Sequence, residues 1–155
     1  MRIALKTLPL LALLALAAPV AGADDGRRVG PLLPKYAQEC GSCHLAYPPG
    51  ALPNASWHRL LRNLPRHFGT DASVDAVTLK EITAWVDANP QTWKRVGEAP
   101  PEDRVTRSAW FQRKHREIAP AAFKRAAIQS AANCAACHPR ADRGDFDEDS
   151  VRIPR

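Results

Sequence analysis

The residues that could do chemistry gather in two short stretches. Cys40-Gly41-Ser42-Cys43-His44 and Cys134-Ala135-Ala136-Cys137-His138 both read C-x-x-C-H, the attachment motif for c-type haem. That spacing follows from the bonds to be made. Each thiol adds across one haem vinyl group to give a thioether, and the adjacent histidine reaches the iron from one face. One such motif can arise by chance, but here two of them use every one of the 4 cysteines. The expected cofactors are two haem c, held by Cys40, Cys43, Cys134 and Cys137, with His44 and His138 on the irons.

Three other uses of the cysteines compete. A zinc site built from both pairs needs no histidine directly after either pair. A thioredoxin-like redox pair belongs in a β-α-β setting, which the pattern lacks. Two disulfides, the default in an exported chain, remain the formal alternative.

The other face of each iron is argued by elimination. Methionine is the usual second ligand of high-potential cytochromes c, yet the single methionine is Met1, which departs with the leader described below. The histidines left are His58, His67 and His115. At 3.6 residues per turn, His67 falls at the edge of the apolar stripe Trp57, Leu60, Leu61 and Leu64, while His58 sides with Arg59, Arg62 and Arg66. His67 is therefore the better ligand and His58 a surface histidine, although Pro65 should kink the helix just before His67. His115 sits among Trp110, Phe111 and Ile118. Alone it would read as a satisfied core histidine, but two irons lack a partner. His67 lies 23 residues after His44, and His115 lies 23 residues before His138. The mirror spacing makes His44/His67 and His138/His115 the simplest pairs, with the swapped pairing an open alternative.

These residues must be held by short helices and loops. Residues 1–23 read as a cleaved secretory signal: Arg2 and Lys6, an apolar run from Leu8 to Val20, then Ala21-Gly22-Ala23 before Asp24. The run is too short to span a bilayer, and periplasmic export is expected. Cleavage leaves 132 residues and lowers the net charge from +6 to +4, because the signal carries two bases and no acid. That mild charge is not the footprint of a nucleic-acid binder. Aromatics are only 6% and prolines number 14, so side chains alone fill a thin core that two haems would complete.

The expected fold is all-α, with short helices and Pro-rich loops wrapped around two covalently bound haems in two small lobes, residues 24–95 and 96–155. Lys35 to Cys40 leads into the first motif, and Tyr47-Pro48-Pro49-Gly50 forces a turn whose carbonyl could accept the Nδ1 proton of His44. Ser56 is the expected cap of one helix, and Asp71 or Ser73 of another through Val74, Val77, Ile82, Trp85 and Val86. Pro90 to Asp103 is the linker. A helix is expected over about Thr106 to Ile118, and a further one from Pro120 through Phe123 and Ile128 to Asn133. Trp57, Trp85, Trp93 and Trp110 read as core and haem-packing residues. Asp145, Asp147 and Asp149 echo a calcium loop, but Ser150 replaces the required Gly, so they read as a solvated acidic stretch.

In combination, Cys40 to Gly50 (CGSCHLAYPPG), Ser56-Trp57, His67-Phe68-Gly69, Trp110, Lys114 to Ile118 (KHREI) and Asn133 to His138 (NCAACH) resemble the bacterial dihaem cytochrome c family. The resemblance runs from about Tyr36 to Pro154. It implies bis-histidine haems with axial roles for His67 and His115. It also implies a monohaem cytochrome c partner of the sphaeroides haem protein type, with a membrane cytochrome b as a further candidate. Pro65 is a local departure.

Electron transfer is the expected function: with both irons saturated no small-molecule substrate binds, and the protein is a carrier rather than an enzyme. The alternatives are a haem enzyme or gas binder with one open iron, or the dihaem subunit of a periplasmic nitrate reductase. The basic residues Arg104, Arg107, Arg113, Lys114, Arg116, Lys124 and Arg125 could dock an acidic redox partner or neutralise haem propionates.

Overall fold

A computed structural model describes residues 31–89 and 96–155. The signal segment, Asp24 and Trp93 lie outside the described residues. Those described are all-α with no strand; the sole β feature is an isolated bridge between His67 and Thr70. None of their helices is long and apolar enough to cross a membrane.

Four helices carry the fold: α1 (Pro34–Gly41), α2 (Asn54–Arg62), α3 (Ala76–Ala88) and α4 (Ala109–Lys114). Pro34 opens α1, where its missing N–H costs nothing and its fixed φ suits the first turn. The helix delivers Cys40 on its last turn. Asp75 caps α3 by accepting from the backbone N–H of Val77 and Thr78, so the cap falls on neither Asp71 nor Ser73. Asp71 is instead spent on a local turn, accepting from Ser73 N–H at 2.9 Å. Thr78, Ile82 and Val86 repeat every four residues and form the buried face of α3. Val77, by contrast, is 75% exposed.

Ser56 does not cap α2 either. Pro53, already extended, precedes the helix without a side-chain cap, and Ser56 is fully buried, with its Oγ accepting from Arg59 at 3.2 Å. Helix α2 stops at Arg62, and Leu64–Arg66 is a 3₁₀ turn containing Pro65. The proline ring excludes continuation of the α-helix, so His67 leaves the α2 stripe altogether.

The core packs Tyr36, Leu52, Trp57, Leu61, Ile82, Val86 and Val105 together, with Trp85 and Trp110 against it. Burying a side chain such as Ile82 or Val86 contributes about 1.5–3 kcal/mol each. Three aromatic polar groups clamp the Pro-rich turn beside the first motif. Tyr36 Oη donates to Tyr47 O at 2.6 Å, Trp57 Nε1 to Pro49 O at 2.7 Å and Trp110 Nε1 to Ala51 O at 3.3 Å. Alternate carbonyls of a buried turn are thus satisfied by side chains.

The second half is far less helical than its residue pattern suggests. Helix α4 covers six residues, capped by Ser108 Oγ accepting from Phe111 N–H. Beyond Pro120 there is only the 3₁₀ turn Ala122–Lys124, in place of the expected helix to Asn133. Other bonds compete with the helix: Asn133 Nδ2 donates to Ile128 O at 3.0 Å and Arg125 reaches Pro154 O at 2.7 Å, while Gln129 takes a φ of 66°.

A candidate dihaem site of paired histidines

The four expected iron ligands stand as two pairs. His44 and His67 have ring centroids 6.1 Å apart at 21° between planes. For His115 and His138 the values are 6.2 Å and 81°. Metal–imidazole bonds of about 2 Å, plus about 1.2 Å from nitrogen to ring centre, put the centroids of two imidazoles on one iron about 6.4 Å apart. Both pairs have the separation of axial ligands.

Hydrogen bonding selects the ligating nitrogen. His44 Nδ1 lies 2.6 Å from Leu45 O, and His115 Nδ1 lies 2.9 Å from Phe111 O. A carbonyl only accepts, so in each neutral ring Nδ1 carries the proton and Nε2 keeps the lone pair that a metal requires. The acceptor for His44 is the next residue, not a carbonyl of the Tyr47–Gly50 turn, because those already serve Tyr36 and Trp57. On the opposing side of each pair, the Nδ1 atoms of His67 and His138 are buried without a partner.

Local turns aim these rings. His67 heads the turn His67-Phe68-Gly69-Thr70, closed by Thr70 N–H to His67 O at 3.0 Å. Phe68 and Gly69 have φ of 53° and 97°, the left-handed pair of a type I′ turn, and glycine relieves the strain at the second position. Phe68 packs on His67 at 4.7 Å and Arg104 lies 4.1 Å over the other ring. His115 caps α4, stacked on Phe111 at 4.0 Å with Phe123 at 6.2 Å. His138 follows the 3₁₀ turn Cys134–Ala136 and meets Phe146 at 5.3 Å. Burial, and then the facing histidine, lowers the pKa of His67 and of His138, which favours the neutral ring in each.

The four cysteines are thiols, with none in a disulfide. Burial, with help from Glu39, pushes Cys40 up to about 11, and burial raises Cys134 and Cys137 as well. Raised thiol values at these three cysteines disfavour a thiolate metal site. One cleft of about 930 Å³ is lined by Cys43, His44 and Cys134 together, and a second of about 390 Å³ lies at His67 and Phe68.

His58 stands outside both pairs. Its Nε2 meets Asp87 Oδ1 at 2.8 Å, joining the exposed side of α2 to α3. Much of the basic cluster is engaged within the chain: Arg104 and Arg107 with Glu102, Lys114 with Glu148, and Arg125 with Pro154 O. The acidic stretch is similarly employed, Asp145 and Asp147 accepting from backbone N–H groups two residues on and Asp145 pairing with Arg140 at 2.7 Å. Sequence reasoning missed the rings of Phe68, Phe123 and Phe146 against the paired histidines. Phe68 had one signal, its place beside His67. It also missed Tyr47, whose ring stacks on His44 at 5.2 Å.

Residues 36–146 match the family model for dihaem cytochrome c. Among solved structures the chain is similar to a dihaem cytochrome c from Rhodobacter sphaeroides. Identity there is 37%, over 77% of this chain and 99% of that chain, with a TM-score of 0.66. It is also similar to a dihaem cytochrome c from Shewanella baltica OS155, with 35% identity over 78% of this chain and 92% of that chain and a TM-score of 0.67. No curated protein matches it.

Proposed function

The chain belongs to the dihaem cytochrome c family, with two haem c groups, and on that premise we propose that it is an exported electron carrier with both irons bis-histidine ligated. His44 pairs with His67 on the first, and His138 with His115 on the second. The observation that carries this reading is the spacing of the two imidazole pairs, 6.1 and 6.2 Å. Each haem supplies a one-electron ferric/ferrous couple.

The residues of the chain do the rest. Cys40 and Cys43, and Cys134 and Cys137, tether the two groups. Carbonyls of Leu45 and Phe111 orient His44 and His115, and fixing a ligand ring raises its basicity and sets its plane. Four imidazoles on two irons leave no position for a substrate. Ligation without a thioether favours the ferric state, so both potentials are low beside those of Met/His cytochromes.

The proposed location is the periplasm. The proposed partner is a monohaem cytochrome c resembling the sphaeroides haem protein, with a membrane cytochrome b as electron source or sink. The test is the native ferric spectrum with carbon monoxide added to the reduced protein. Two low-spin haems that ignore carbon monoxide support the carrier. A high-spin haem, or carbon monoxide binding at native pH, replaces it with an enzyme or gas binder.

A further inference from the structure

Tyr47 bridges the first haem motif and the loop that leads into the second. Its ring stacks on the His44 imidazole at 5.2 Å and 28°. Its hydroxyl donates to Ala132 O at 3.2 Å, across 85 residues of sequence and two residues before Cys134. Both ends of this contact are held. On the near side, Tyr47 O accepts from the buried Tyr36 hydroxyl at 2.6 Å, and Pro48 and Pro49 follow with restricted φ. On the far side, Asn133, between Ala132 and Cys134, donates to the carbonyl of buried Ile128 at 3.0 Å. One cleft is lined by Cys43, His44, Ala132 and Cys134 together.

We propose that Tyr47 is a positioning residue that locks the second attachment loop onto the first proximal histidine and thereby sets the rate of electron exchange between the two haems. This rests on the carrier reading above. In the exchange one electron leaves a ferrous iron and arrives at a ferric one. No bond forms or breaks, no proton moves, and the phenol stays neutral and unoxidised. Tyr47 acts through placement: its ring backs His44, and its hydroxyl fixes the loop bearing Cys134.

Two variants separate these parts in the full dihaem protein. Tyr47→Phe keeps the ring and loses the hydroxyl bond; Tyr47→Leu loses both. The half-reduced protein is prepared by flash photoreduction, and exchange between the haems is followed optically, with the two midpoint potentials measured separately. Electron tunnelling decays steeply with separation, so a displaced loop slows it, and exchange is expected to slow severalfold in Tyr47→Leu and less in Tyr47→Phe. Both variants are expected to stay low-spin, with potential differences like the parent. Exchange at the parental rate in low-spin Tyr47→Leu overturns the proposal. If Tyr47→Leu matures with fewer than two haems, Tyr47→Phe decides alone, and a parental rate there overturns it. Failure of the carrier reading looks different, because it appears in the unmutated protein as a high-spin haem.

Discussion

The imidazole planes of His115 and His138 cross at 81° with centroids 6.2 Å apart, whereas His44 and His67 lie within 21° of parallel at nearly the same separation. Ring orientation follows from what holds each ring. His115 is stacked on Phe111 and tied to its carbonyl, while His138 is set by the turn after Cys134. Parallel imidazoles split the two iron π-orbitals, and perpendicular ones leave them nearly degenerate. The ferric protein should therefore give two distinct low-spin resonances at cryogenic temperature, one rhombic and one strongly anisotropic. Two equivalent rhombic signals would count against the geometry of the second pair.

Replacing His67 or His115 with Ala should open one iron, turn that haem partly high-spin and admit carbon monoxide. His58→Ala should do neither, because it loses only the ion pair with Asp87, whose side chains are 33% and 46% exposed. Such a surface pair contributes under about 1 kcal/mol, so its melting temperature should barely move. An open haem in His58→Ala with His67→Ala still low-spin would reverse the assignment.

Trp57→Phe tests the clamp on the Pro-rich turn. The indole is buried and donates to Pro49 O at 2.7 Å, so the variant leaves that buried carbonyl only the long 3.5 Å bond from Leu52 N–H. That costs about 1–3 kcal/mol. Denaturant titration should show a lower midpoint with an unchanged slope, while the haem spectrum stays low-spin.

Acid should weaken the fold through two carboxylates. The bidentate Arg59 guanidinium, at 2.6 and 2.8 Å, holds Asp103 below its ordinary value of 3.8, and the Thr78 hydroxyl does the same for Asp75 at the cap of α3. A depressed folded value means the stabilisation is complete above 3.8 and is lost as pH falls through the lower folded value. Stability measured by urea titration should drop below about pH 4, and Asp103→Asn should flatten part of that slope.

Loss of the second haem should be felt unevenly. Helices α1, α2 and α3 share a core of Tyr36, Trp57, Ile82 and Val86, whereas the chain after α4 has only 3₁₀ turns. Cys134→Ser with Cys137→Ser should keep most of the helical circular dichroism while residues 116–155 become sensitive to protease. Complete loss of helicity would show that both haems support a single cooperative unit.

The identity of the cofactor was legible in the residues because thioether attachment is local chemistry. Two thiols and a histidine must sit within five consecutive positions wherever the chain later goes. The ligand candidates were legible for a similar reason, since only five histidines exist and the sole methionine is Met1. The element boundaries were less so. Ser56 and Asp71 have the right side chains for caps, yet only packing decides which carboxylate or hydroxyl finds a free N–H, and that role went to Asp75. The Ala-rich stretch from 120 to 133 carries helical propensity, but propensity is worth only tenths of a kcal/mol per residue. Side-chain bonds from Arg125 and Asn133 outweigh it.

What the amino-acid order determined by itself was therefore the attachment chemistry, the family resemblance and the short list of iron ligands. Tertiary structure alone decided the orientation of each imidazole pair and the bridge Tyr47 makes from the first motif to the loop before the second. Those depend on residues 23 and 85 positions apart, and no local pattern encodes a distance that is set only when separate turns pack against a common core.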